Sequence, residues 1–428
     1  MKLFKCQECG QTVFFENRYC EKCGHSLGYL ASAKELLTLN LNDGVATSVR
    51  SRHKKFRYCA NAANDACNWL IPLDANEDFC AACRHNRMIP DLTLHLASWQ
   101  RLEFAKHRLF YTLIALGLPL KNRTDDPEHG LAFDFLAEGP TPGTKILTGH
   151  EDGQITINLN EADDALREKL RTEMGEPYRT LLGHFRHEVG HYFWDVLVRD
   201  AGRLDECRAV FGDDRADYAL ALQTHYAQGA PADWADSYIS AYATSHPWED
   251  FAETWAHYLH IVDTLETASA FGLRIHPTAT RNRALHADID FDPHHAPDMA
   301  VLIDAWLPLT FAVNSLNRSM GHGDLYPFVV SSAVVRKLQF IHEIVHEMGA
   351  QQAAGPVKRK GIFNRMMNSQ PEQPPSQPPA PSGPPPIRPP EEPPPVQEPP
   401  PVELPPSEIP PPGPPGDPPP MRLHGVGD

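Results

Sequence analysis

Long apolar runs, basic charge and cysteine are all scarce in this 428-residue chain, and each scarcity excludes something. The longest nearly continuous apolar run, Leu109 to Leu120, is too short to span a bilayer. The opening Met-Lys-Leu-Phe-Lys-Cys has no apolar stretch of the secretory kind and runs straight into a cysteine motif. A soluble, cytoplasmic protein without a membrane partner is therefore expected. Lys plus Arg number 39 against 55 Asp plus Glu, a net charge of −16. That balance argues against a nucleic-acid partner, although Arg50, Arg52, His53, Lys54, Lys55 and Arg57 form a short basic run. Of nine cysteines, eight fall into two groups of four. Cys207 stands alone and reads as a small buried hydrophobe.

In a reducing compartment, Cys-x-x-Cys steps are metal knuckles before they are disulfides. Cys6-Gln-Glu-Cys9-Gly10 and Cys20-Glu-Lys-Cys23-Gly24 are two such turns, with glycine supplying the positive φ they need. A hairpin through Val13-Phe14-Phe15 can join them, which makes Cys6, Cys9, Cys20 and Cys23 a four-thiolate zinc ribbon. Haem attachment is excluded because Gly24, not His, follows Cys23. Cys59, Cys67, Cys80 and Cys83 supply a second structural zinc, one pair widely spaced and one a standard knuckle. Residues 1–30 and 31–90 thus read as two small zinc modules, each with too little core to fold without metal.

From residue 91 to about 360 the pattern becomes that of an α+β domain, mainly helical with a small sheet. Ser98 to Gly117 has helical apolar spacing and ends at Gly117 and Pro119. Asp134-Phe135-Leu136, Lys145 to Gly149 and the alternating Gln154-Ile-Thr-Ile-Asn-Leu159 read as strands, with Asp152-Gly153 as a hairpin turn. The last of these strands can pair with an extended peptide by edge addition. Beyond Gly361 the sequence collapses into proline with Glu, Gln, Ser and Gly, and most of the 42 prolines lie there. Such a tail, residues 361–428, cannot bury a core and is expected to be disordered. Its Pro-x-x-Pro runs can offer a protein partner a polyproline ligand.

The chemistry concentrates in Gly183-His-Phe-Arg-His187-Glu188-Val-Gly-His191-Tyr-Phe-Trp-Asp195. On a helix, His187 and His191 lie one turn apart on one face, so two imidazoles can take adjacent positions on a zinc ion. Glu188 is turned about 100° away and can reach a water on an open position of that metal. The helix is apolar on most sides, and a buried polar cluster without a partner would be costly; ligation removes the conflict. His184 lies near the same face, and Asp195 is placed to accept from the second ring nitrogen of His191. The pattern is short enough to recur by chance, and His342 to His346 also fits it. No acidic residue in suitable context follows that copy, so it reads as part of a terminal amphipathic helix. His286, His294 and His295 read as surface. A third ligand is needed, and His246-Pro-Trp248-Glu249-Asp-Phe-Ala-Glu253-Thr-Trp255 offers a pair of carboxylates on one helix face. From the residues alone, Glu249 and Glu253 both stay open.

The two runs, Gly183 to Asp195 and His246 to Tyr258, resemble bacterial zinc-binding metallopeptidases that carry an amino-terminal zinc ribbon. Cys59-Ala-Asn-Ala through Cys80-Ala-Ala-Cys83-Arg, Asn86-Arg87, Ile89-Pro90-Asp91 and Leu325-Tyr-Pro-Phe-Val329 are similar to the same family. The resemblance covers roughly residues 1–350. It implies a zincin-like fold whose third metal ligand is the first Glu of a Glu-x-x-Ala-Glu stretch. That makes Glu249 the ligand and Glu253 its neighbour in support. It also implies a tyrosine that stabilises the oxyanion, Tyr242 first and Tyr238 second. The expected activity is hydrolysis of a peptide or protein substrate with one catalytic and two structural zinc ions. The competing reading is a non-catalytic scaffold that recruits partners through the ribbons and the Pro-rich tail.

Overall fold

The computed structural model describes residues 2–138, 146, 148–173 and 180–354. The Pro-rich tail, most of the strand expected at Lys145 to Gly149, and the residues just before Thr180 lie outside them. Strands β1 (Phe4–Lys5) and β2 (Thr12–Val13) pair antiparallel and carry the first cysteine group on the turns that flank them. Gly10 and Gly24 close the two knuckles with φ of +76° and +74°. Five antiparallel strands follow in sheet order, β3 (Ser26–Leu30), β4 (Glu35–Asn42), β5 (Val45–Ser48), β6 (Ser51–Tyr58) and β7 (Leu70–Pro72). The basic run lies on β6, where Arg57 pairs with Asp78 and donates to the Ala75 carbonyl. Because β3 pairs with β4, the sheet crosses the module boundary expected at residue 30.

The boundary expected at residue 90 is crossed as well. Strand β8 (Asn86–Met88) pairs in parallel with β9 (Ala132–Leu136), on the far side of helix α1 (Leu92–Ala115). Asp91 caps α1 by accepting from the Thr93 amide. Strands β10 (Gly149–Glu151) and β11 (Gln154–Asn158) complete a sheet ordered β10-β11-β9-β8. Asp152 and Gly153 both take positive φ, 45° and 79°, the geometry of the tight hairpin turn that this dipeptide favours. One expectation is corrected here. β11 is flanked by β10 and β9, so it has no free edge; among the described residues the edges are β10 and β8.

Among the described residues after β11, the regular structure is helical apart from one short strand pair. Helices α2 (Asp164–Glu173), α3 (Leu181–Trp194), α4 (Leu204–Phe211), α5 (Tyr218–Gln228) and α6 (Pro247–Ala270) precede that pair. The pair is β12 (Arg274–Ile275) with β13 (Ala287–Asp288), and α7 (Met299–Ser319) and α8 (Ser332–Ala354) follow it. By length and composition α7 could cross a membrane, but half of it is buried inside the protein. The centre of the domain is the α3–α6 pair. Thr180 caps α3 by accepting from the Gly183 amide, and His246 caps α6 through the Trp248 amide, with Pro247 at the first helical position. The two helices touch closely because position 190 is glycine: a Cβ there would lie 2.9 Å from Ala252 Cα. Phe193 stacks on Trp255 beside that contact, with ring centres 4.9 Å apart. A continuous core of buried side chains runs from the ribbon residues Phe15, Tyr29 and Trp69 through α1 to α3 and α6, and a smaller separate cluster lies within β3 to β7.

Candidate metal centre

Helix α3 places His187 and His191 on its α6-facing side with Nε2 atoms 3.2 Å apart. Helix α6 brings Glu249 to the same point: its Oε2 lies 3.0 Å from His187 Nε2 and 3.6 Å from His191 Nε2. Tetrahedral zinc with ligands at about 2.0–2.1 Å has ligand atoms about 3.3 Å apart, so these three separations match one face of such a tetrahedron. Glu249 is buried, yet its Oε2 has no hydrogen-bond partner among the described residues. A buried carboxylate oxygen left in that state is costly unless a cation sits against it. The donor set and its orphaned oxygen therefore fit zinc.

The supports of this triad are specific. His187 Nδ1 donates to Glu253 Oε1 at 2.7 Å, and Glu253 Oε2 accepts from the Ser240 hydroxyl at 2.7 Å. A carboxylate can only accept, so Nδ1 carries the proton and Nε2 presents its lone pair, as a metal ligand must. Burial opposes a charged His187, but Glu249 and Glu253 outweigh it and hold its pKa well above the ordinary value. Burial opposes ionised Glu253 too, and His187 overrides it, so that carboxyl sits at about 2. The pocket is built for positive charge. A divalent ion held by these ligands would supply that charge.

Among residues singled out in the sequence, Glu188 is buried on α3, and its carboxylate takes no hydrogen bond among the described residues. The Tyr242 ring lies 6.0 Å from the His187 ring, and burial, reinforced by Glu249, pushes its phenol far up. The Tyr238 ring has Lys337 Nζ 4.1 Å from its centre. Two expected supports are corrected. Asp195 pairs with Arg199 at 2.7 Å instead of meeting His191, whose Nδ1 has no partner among the described residues. Asp195 keeps its α-helical place one turn after His191, its amide bonding to the His191 carbonyl, and the helix changes to π geometry over Asp195–Arg199, where the carboxylate meets Arg199. His184 faces Glu161 at 3.3 Å rather than the triad. His294, expected on the surface, is buried 3.8 Å from Glu266. In the second short match, His342 lies 3.2 Å from the Tyr258 hydroxyl, and no acidic residue joins it and His346 in a metal-ligand group among the described residues.

Besides Ser240, three residues were missed. The Tyr218 hydroxyl donates to Glu249 Oε1 at 2.6 Å, which leaves Oε2 as the oxygen facing the imidazoles. Trp248 packs on the His191 ring with centres 3.8 Å apart. His150, on the edge strand β10, lies 6.1 Å from the same ring. Trp248 sits beside the candidate ligand in sequence and was readable only as an apolar helix position. Nothing local signals Tyr218 or His150.

The two cysteine groups are gathered as well. Cys6 and Cys23 sulfurs are 3.6 Å apart, as are those of Cys9 and Cys20, and Cys67 and Cys80 sulfurs are 3.8 Å apart. Tetrahedral zinc with sulfurs at about 2.3 Å requires an edge of about 3.8 Å. All four donor atoms of each group lie within 4.8 Å of one another. Backbone amides aim at the sulfurs, Trp69 at Cys67 and Cys80 at Cys59 among them.

A ribbon with two cysteine groups, joined to a helical body that holds two histidines and a glutamate, defines a class that sequence comparison identifies directly. The family described as "Putative zinc-binding metallo-peptidase" matches residues 95–344, and a zinc-ribbon domain matches residues 3–94. The chain belongs to that zinc-binding metallopeptidase family. It is similar to the uncharacterized proteins Mb2598c of Mycobacterium bovis and Rv2568c of Mycobacterium tuberculosis. Each is 44% identical over 351 residues, covering 81% of this chain and 96% of the relative. No solved structure matches the chain.

Proposed function

We propose that this chain is a zinc-dependent peptidase with zincin-like architecture, holding one catalytic and two structural zinc ions. The observation that carries the reading is the buried, unpartnered Glu249 Oε2 set 3.0 and 3.6 Å from two imidazole nitrogens. His187, His191 and Glu249 would hold the catalytic ion. When bound there, zinc supplies a Lewis acid and a water acidic enough to ionise near neutral pH. Glu188 takes the proton from the attacking water and passes it to the leaving amine. Tyr242 donates its phenolic hydrogen to the oxyanion. Glu253 and Ser240 fix the His187 tautomer, and Tyr218 holds Glu249 so that one oxygen is presented. The edge strand β10 gives an extended peptide backbone groups to pair with beside the site. The two cysteine groups hold structural zinc. A cytoplasmic location and a protein partner for the Pro-rich tail complete the proposal.

The test is a peptide-library digest read by mass spectrometry, comparing wild type with Glu188→Gln. Wild type should cut, and the variant should retain its zinc and lose turnover by several orders of magnitude. Equal cutting by both, or none by zinc-loaded wild type across the library, would sink the peptidase reading.

A further inference from the structure

The second cysteine group has a neighbour that belongs to the other matched family. His107 lies on α1, within the metallopeptidase match, and is almost fully buried. Its Nδ1 is 2.6 Å from the Glu103 carbonyl oxygen, one turn back on the same helix. A carbonyl can only accept, so Nδ1 carries a hydrogen and the ring is locked with Nε2 pointing outward. Nε2 meets Cys83 Sγ at 3.5 Å and Cys80 Sγ at 4.0 Å. The contact is backed by a polar wall. Lys106 Nζ donates to Glu103 Oε1 at 2.7 Å, and both side chains are 0% exposed. Asn86, from the ribbon side, also donates to Glu103 Oε1, at 2.8 Å. An ion pair buried this deeply is costly to form and is tolerated only with its remaining valences filled.

We propose that His107 caps the Cys83 sulfur, so that the second cysteine centre is shared between the ribbon and the peptidase body and its metal stabilises both. With Nδ1–H held by the Glu103 carbonyl, the side chain acts as an imidazolium whose Nε2–H donates to a thiolate; it is a positioning residue and not a ligand. Helix α1 carries the effect onward. Thr112 on α1 donates to Asp263 on α6 at 2.8 Å, and Asp263 pairs with Arg186, the residue before His187. Phe110 on α1 touches Phe133, which in turn touches Phe185 on α3, with ring centres 6.0 and 5.8 Å apart. Loss of the ribbon metal should therefore loosen the floor under α3. This inference does not depend on catalysis, so a failed peptide digest leaves it standing.

The experiment uses the full-length, zinc-loaded chain as wild type, His107→Phe and His107→Gln. Under excess EDTA, His107→Phe should release one zinc roughly 10–100-fold faster than wild type, the usual effect of removing such a support. His107→Gln, whose amide can still donate to sulfur, should stay within a few-fold of wild type. Amide exchange across residues 92–115 and 184–194 should speed up in step with that loss. Cadmium NMR of the substituted protein resolves the centres separately. One four-sulfur signal should move in His107→Phe. Equal release in all three proteins, unmoved exchange on zinc loss, or a three-sulfur, one-nitrogen signal in wild type would each overturn the proposal. Should the Phe variant not fold, the wild-type cadmium signal and exchange before and after zinc stripping decide alone.

Discussion

Replacing Gly190 with Ala sets two effects of opposite sign against each other. Helix propensity favours the change by about 1 kcal/mol, since glycine is the poorest ordinary residue in a helix interior. Packing opposes it. The new Cβ would sit 2.9 Å from Ala252 Cα, 3.2 Å from Trp255 Cδ1 and 3.3 Å from Ala252 Cβ. Carbon atoms settle at about 3.5 Å or more, so α3 and α6 must part by roughly half an ångström. The nearest obstacle is backbone, which cannot rotate aside. Overpacking of this kind costs about 1–3 kcal/mol, so the net effect should be a loss of up to about 2 kcal/mol. The same parting lengthens the separations of 3.0 and 3.6 Å between Glu249 and the imidazoles. Each 1.4 kcal/mol of ligation lost is about a tenfold weaker zinc affinity. Urea unfolding gives the stability change, and chelator competition gives the affinity. A variant that is more stable by about 1 kcal/mol, with zinc affinity unchanged, would show that propensity wins and that the helices do not meet at this residue.

Two further outcomes follow from the same geometry. Tyr218→Phe removes the 2.6 Å hydrogen bond to Glu249 Oε1 and should weaken zinc binding at the triad about 10–100-fold by isothermal titration; unchanged affinity would remove Tyr218 from the site. His257 is fully buried, and burial depresses its pKa to about 4, with its Nδ1 2.8 Å from the Tyr326 hydroxyl. Between pH 6.5 and 4 the unfolded chain binds a proton there that the folded chain does not, so stability is full above 6.5 and falls as pH drops towards 4. The total is about 3 kcal/mol at 1.36 kcal/mol per unit. His257→Asn should flatten the acid limb of a stability-against-pH curve; an unchanged slope would place the titrating group elsewhere.

Sequence legibility followed range along the chain. The cysteine knuckles, the i, i+4 histidines and the Asp152-Gly153 turn are local patterns, and local backbone geometry dictates them. The choice between Glu249 and Glu253 was not available from spacing, because both lie on one helix face. Distance separates their positions: Glu249 faces both Nε2 atoms and Glu253 faces His187 Nδ1. Asp195 has the expected helical register with His191, but its carboxylate is taken by Arg199, four residues further on, a competition that spacing does not decide. Tyr218, Ser240 and His107 meet partners brought to them only by tertiary packing, and no periodicity encodes such meetings. His294 looked exposed because it sits in a short turn, yet its ring is buried 3.8 Å from Glu266 near the C-terminal end of α6.

The most direct test is a count of zinc per chain by inductively coupled plasma mass spectrometry, on wild type and on His191→Ala. The account predicts three in wild type and two in the variant, with the cysteine centres unaffected. Two in both proteins would mean that the histidines and Glu249 hold no metal, and would leave a ribbon protein with a non-catalytic helical body.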